Sequence, residues 1–106
     1  MKACVWLPAF CRYKKPAIIA WDEPRRLTNI RTHRRDFADL EGGFEWDEAL
    51  LMATYAGRRG EPRFMAIGFS ADDLGTLVFS RLGSEGISLI GLRRASRKER
   101  GAYADR

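Results

Sequence analysis

The sequence predicts an α+β domain in which two N-terminal helices pack on an antiparallel β-sheet and a short helix closes the chain. Three observations carry this reading. Acidic helix-start signals stand at Asp22-Glu23-Pro24 and again at Asp36, both in the first half of the chain. From Ala49 onward, short apolar runs separated by tight turn residues replace the helical pattern. The last run, Ile87 to Leu92, turns directly into Arg93-Arg94-Ala95-Ser96-Arg97-Lys98-Glu99-Arg100, where Ser96 and Glu99 have the spacing of a capping box. A chain of 106 residues with 45% apolar content supports one domain with a modest core.

The first sixteen residues read as a tail and residues 17–106 as the domain. Met1 to Phe10 is apolar, but it is interrupted by Pro8 and followed by Arg12, Lys14 and Lys15. It lacks the longer apolar region and small-residue cleavage site of a secretory signal. No run approaches a membrane-spanning length. Cys4 and Cys11 both fall here, without a third cysteine or a nearby histidine to complete a metal site, so reduced thiols of a cytoplasmic protein are expected. Val5, Trp6, Leu7 and Phe10 are available to pack on the domain or on a second copy, which leaves a homodimer open.

A short first strand is expected over Ala17–Trp21. The helix that follows has an acidic cap and a proline whose missing amide costs nothing in a first turn. Leu27 and Ile30 supply its apolar stripe, and it ends near His33 or Arg34. Asp36 caps a second helix carrying Phe37, Leu40 and Phe44 at helical spacing, weakened by Gly42-Gly43. Strands are then expected over Ala49–Tyr55, Arg63–Phe69, Leu74–Arg81 and Ile87–Arg94. Connections this short make consecutive strands antiparallel. Arg63, Met65, Ile67 and Phe69 share one face of their strand.

Charge is unevenly distributed. Residues 1–35 carry nine Lys/Arg against two acids, 36–56 carry six acids and no base, and 57–106 carry ten bases against six acids. The net charge of +5 favours a polyanionic partner. Five Lys/Arg lie between Arg93 and Arg100, where guanidinium groups beside a helix start suit phosphate. The same charges also fit a solvated chain end. The acidic segment fits a cationic protein partner, or simply a solvated face.

The ordered set Trp21-Asp22-Glu23, Asn29, His33, Asp36-Phe37, Gly60-Glu61-Pro62-Arg63, Ile67-Gly68 and Arg93-x-Ala95-Ser96-x-x-Glu99-Arg100-x-x-Tyr103 resembles the BrnT family. The resemblance runs from about Ile18 to Tyr103. It implies a RelE-like fold and a ribonuclease toxin of a type II toxin–antitoxin system. It also implies a BrnA antitoxin with a ribbon-helix-helix domain, and operator DNA bound only through that complex. Two positions depart from the family pattern: Arg34 stands where glycine is usual, and Gly91 where serine is usual.

RNA cleavage without a metal or cofactor needs activation of the 2′-hydroxyl, charge stabilisation at phosphorus and protonation of the leaving oxygen. Arginine suits the second task. Arg63 and Arg93 are the first candidates, each at a strand end, with Arg81 able to join them. Arg94, Arg97, Lys98 and Arg100 are candidate RNA contacts. His33 reads as an acid–base group or as a helix-end cation. Glu61 reads as a base or as the partner that holds Arg63, and Tyr103 as a stacking platform or a packing residue. Two readings stand beside the enzyme: a non-catalytic nucleic-acid-binding module, and an antitoxin-binding corepressor.

Overall fold

A computed structural model describes residues 16–106; the cysteines and the apolar stretch of the tail lie outside this range. The elements in chain order are β1 (Ile18–Ala20), α1 (Glu23–His33), single 3-10 turns over Phe37–Leu40 and Trp46–Glu48, β2 (Leu50–Ala53), β3 (Phe64–Ser70), β4 (Asp73–Leu82), β5 (Gly86–Arg94) and α2 (Arg97–Ala104). The five strands form one sheet in the order β1-β5-β4-β3-β2.

Strands β2 to β5 pair antiparallel in sequence order, as their short connections require. β1 departs from that pattern. It lies parallel to β5, with Ile19 opposite Ile87, so the sheet is mixed rather than antiparallel. The short-connection rule governs neighbours in sequence, and most of the domain separates β1 from β5. The β4–β5 ladder also skips one residue: Val78 faces Gly91 and Phe79 faces Leu89, leaving Ile90 as a bulge.

The second helix is not a helix. Asp36 does cap it, accepting the Ala38 amide at 3.0 Å, but only one 3-10 turn forms before Glu41 turns extended. Gly42 then adopts φ +78°, and a side chain on Gly43 would come within 2.6 Å of the Asp39 carbonyl. Phe37, Leu40 and Phe44 are buried all the same. Phe44 reaches the core from a bridge to Ser70 rather than from a helical face.

Apolar side chains fill both faces of the sheet. One face holds Phe37, Leu40, Phe44, Trp46, Phe64, Leu77, Phe79 and Leu89. The other holds Leu50, Ile67, Leu74 and Ala95, with Phe69 and, from α2, Ala102 and Tyr103 packed against them. Met65 and Phe69 join this second face together with Ile67, following the alternation expected of β3.

α1 docks by a polar contact rather than by the expected stripe. Leu27 is 51% exposed, and the buried residue of the helix is Asn29. β1 covers β5 only as far as Ser88, so the edge of β5 beyond it needs another partner. The Asn29 side chain supplies one. Its Oδ1 accepts the Leu92 amide at 3.0 Å, and its Nδ2 donates to the carbonyls of Leu92 at 2.8 Å and Arg35 at 2.9 Å. α1 ends on Arg34 at φ 60°, whose amide donates to the Ile30 carbonyl at 2.8 Å. Outside glycine this left-handed cap costs about 1 kcal/mol.

Asn29→Ala removes three hydrogen bonds, two of them buried, and should destabilise the domain by about 2–4 kcal/mol, read by chemical denaturation. Asn29→Asp should be no better, because it sets a carboxylate against two carbonyl oxygens. A wild-type melting temperature for Asn29→Asp would show that α1 is held by other contacts.

Candidate nucleic-acid interface

β5 carries Arg93 onto the face covered by α2, opposite Thr76 of β4. There its guanidinium meets Glu99 as a fork, Nη1 donating to Oε1 and Nη2 to Oε2, both at 2.7 Å. Oε1 also accepts from Thr76 Oγ1 at 2.8 Å and from the Ser96 amide at 2.8 Å. Ser96 Oγ accepts the Glu99 amide at 3.2 Å, which completes the predicted capping box. Glu99 is only 9% exposed and accepts four hydrogen bonds. Arg93, helped by Ser96 and Thr76, holds the Glu99 carboxyl down at about 2 against the opposing effect of burial. The pairing in turn raises the Arg93 pKa above its ordinary value.

Arg93 is therefore committed within the protein, and its fork clamps α2 to the sheet. A phosphate would have to displace a carboxylate that already matches it. Arg63 lies on the same sheet face but at the far end. Arg93 stands opposite Thr76, which stands opposite Ile67, four residues along β3 from Arg63. That places the two guanidinium groups' strand positions roughly 13 Å apart along the strands and roughly 10 Å across them. The structure does not bring them onto one phosphate.

The other candidates separate as clearly. Glu61 reaches Arg63 Nη2 at 3.4 Å. Its own amide chiefly, with help from the Arg59 amide and Arg63, holds its carboxyl below the usual range, which makes it a weaker base. Arg63 Nε is buried without a hydrogen-bond partner. By alternation Arg81 points to the side of Leu77 and Phe79, away from Arg93. Tyr103 packs edge-on against Phe69, and Arg106 lies 3.8 Å above its ring centre, so that ring face is occupied.

A basic surface does form at the Arg93 end of the sheet. Asp73 pairs with Arg35, which follows α1. Arg35 chiefly holds the Asp73 carboxyl below its usual range, and Arg94 and Arg100 add longer-range attraction. Asp73 is thus paired with Arg35 and attracted by two further arginines. Arg97 and Lys98 are exposed in the first turn of α2 nearby. Cations at that end oppose the helix dipole, costing about 0.3–1 kcal/mol each. Arg35 was not singled out by the sequence, since one arginine in a pair beside α1 carries no signal of its own.

His33 lies on the last turn of α1, two residues before Arg35, where it lines a groove against β5. The groove has a volume of about 440 Å³, and Gly91 forms part of its floor. A glycine in a strand interior costs roughly 0.5–1 kcal/mol relative to alanine. Among the described residues no group of His, Cys, Asp and Glu is placed to hold a metal, and no helix is long and apolar enough to cross a membrane.

Fold and charge together define a small mixed-sheet α+β protein with one end suited to a polyanion. A family profile described as the ribonuclease toxin BrnT of type II toxin–antitoxin systems matches residues 21–99. The crystal structure of the Brucella abortus ribonuclease toxin BrnT is similar, with 36% identity and a TM-score of 0.57 over 76% of this chain and 100% of that one. Among curated proteins none matches. The chain belongs to the BrnT family of ribonuclease toxins of type II toxin–antitoxin systems.

The clamp has a defined pH window. Glu99 has its carboxyl pKa lowered by folding, so its contribution is complete above about 4.5 and is lost as pH falls toward about 2. Glu99→Gln should lower stability at pH 7 by about 2–3 kcal/mol and flatten the acid limb of the stability curve. Arg93→Lys should also lower the melting temperature, since lysine cannot form the fork.

Proposed function

We propose that this protein is a metal-independent, RelE-like endoribonuclease acting on RNA in the cytoplasm, neutralised by a BrnA-like ribbon-helix-helix antitoxin. Operator DNA is then reached only through that complex. The observation that carries the reading is the basic end: Arg35, Arg94 and Arg100 around Asp73, with Arg97 and Lys98 held in place against the dipole of α2. Family membership supplies the reaction class.

In this reading the substrate's 2′-hydroxyl attacks phosphorus, and the bond to the 5′-oxygen breaks. A 2′,3′-cyclic phosphate and a free 5′-hydroxyl result. The arginines neutralise charge at the non-bridging oxygens. His33 is the candidate for moving the proton. Arg93 acts through Glu99, fixing the helix that presents Arg97, Lys98 and Arg100. Arg63 and Glu61, at the opposite end, would contact a more distant part of the RNA. An antitoxin covering the basic end would exclude RNA by competition.

The second reading, an antitoxin-binding corepressor without cleavage, draws on two observations. The guanidinium of Arg93 is already paired, and position 91 lacks a hydroxyl.

Purified protein should cleave single-stranded RNA in the presence of a chelator. If five cations of the basic end contact phosphate, log affinity should fall against log salt with a slope of about −3.5. Arg35→Ala combined with Arg94→Ala should reduce that slope by about 1.4. Absence of cleavage, with the antitoxin still bound, would favour the corepressor.

A further inference from the structure

We propose that the groove between α1 and β5 is a ribonucleotide subsite, in which a phosphodiester faces α1 and its ribose lies against the bare backbone of Gly91. This inference rests on the ribonuclease reading and locates substrate within it. One wall is built from α1, where Arg25, Thr28 and Thr32 follow one another at three- and four-residue spacing and His33 stands four residues after Asn29. The floor is Ile90 and Gly91 of β5. Among the described residues the groove lining holds no carboxylate, and Arg25 pairs at 3.3 Å with Asp22, which caps the start of α1. The groove's polar side chains include two cationic or ionisable groups and two hydroxyls, the chemistry of an RNA backbone site. From Arg25 to His33 the wall runs roughly 12 Å, room for one phosphodiester and its flanking riboses.

The floor is the decisive feature. Ile90 is the bulged residue of the β4–β5 ladder, and bulges re-aim a strand locally beside functional sites. Gly91 follows it, in a backbone conformation open to any residue. A side-chain carbon at Gly91 would have Asn29 Oδ1 as its nearest neighbour, at an ordinary 3.8 Å. Packing therefore does not demand glycine, and a glycine weakens the strand. Glycine within a strand marks a bulge or a place where another group comes close to the backbone, and Gly91 follows the bulged Ile90 on the open floor of the groove. The Asn29 bonds to Leu92 keep the two walls in register. The Arg35 carbonyl on the same Asn29 places the groove's far end beside the basic cluster.

The test uses His33, the single histidine of the chain. A short 2′-O-methyl oligoribonucleotide, which cannot be cleaved by its own 2′-oxygen, is titrated into the protein while the His33 ring-proton resonance is followed. The resonance should move in step with binding. Gly91→Leu should fill the floor and weaken binding at least tenfold, with the melting temperature retained. Thr28→Glu with Thr32→Glu, on the helix wall and compatible with helix, should do the same if Gly91→Leu fails to fold. If both folded variants bind the oligonucleotide and cleave unmodified RNA like the wild type, the groove proposal is wrong while the ribonuclease reading stands. If wild type neither binds nor cleaves, both fall. Binding that leaves the His33 resonance unmoved would also overturn the groove assignment.

Discussion

One carboxylate organises the C-terminal third of the molecule. Glu99 accepts from Arg93 twice, from Thr76 and from the Ser96 amide, tying β4, β5 and α2 at a single point. A largely buried charge is tolerable only when its partners are fixed, and here each comes from a different local element. The capping box starts α2, the fork orients it, and the Thr76 hydroxyl adds a further bond to Oε1. α2 is eight residues long, too short to be stable as an isolated helix. Its position, and with it that of Arg97, Lys98 and Arg100, depends on this node. Asn29 does the corresponding work on the other side of β5, where a side-chain amide takes over from β1 as the strand's neighbour.

Several local rules are broken within one region. Arg34 takes a left-handed cap that glycine would take without strain. Gly91 sits in a strand where a side chain would fit. Arg97 and Lys98 stand at the wrong end of the α2 dipole. Arg35, Arg94 and Arg100 crowd one aspartate. The first three cost stability without improving packing, while the arginines gather positive charge beyond what Asp73 neutralises. Such inconsistencies belong to functional surfaces, and their concentration around the ends of α1 and β5 supports placing RNA there.

Much of the fold was legible because its signals are local. Asp22 with Pro24, the Ser96–Glu99 box and the short strand connections each act within a few residues, and each appears where it was expected. The parallel pairing of β1 depends on a partner far away in sequence. The second helix failed because Asp36 and the spacing of Phe37 and Leu40 specify only a first turn, while Gly43 must fit under the Asp39 carbonyl. Leu27 misled because a polar residue, Asn29, had the stronger claim on the interface. For the site, the Arg93-to-Arg100 stretch located the basic end. Which arginine would be consumed by Glu99 was hidden, because a fork between a strand and a helix is decided by geometry rather than spacing.

The central claim is that Arg93 does not itself hold the scissile phosphate, and that α2 keeps its place as long as the capping box and the Thr76 contact remain. The double variant Arg93→Met, Glu99→Gln tests it most directly. Glutamine keeps the capping box and the Thr76 contact, and removal of both charges leaves neither one buried alone. With the melting temperature measured alongside, single-turnover RNA cleavage by this variant should remain within about threefold of wild type, under 1 kcal/mol of barrier. A folded double variant whose cleavage falls by about a hundredfold or more would place Arg93 at the phosphate and contradict the account.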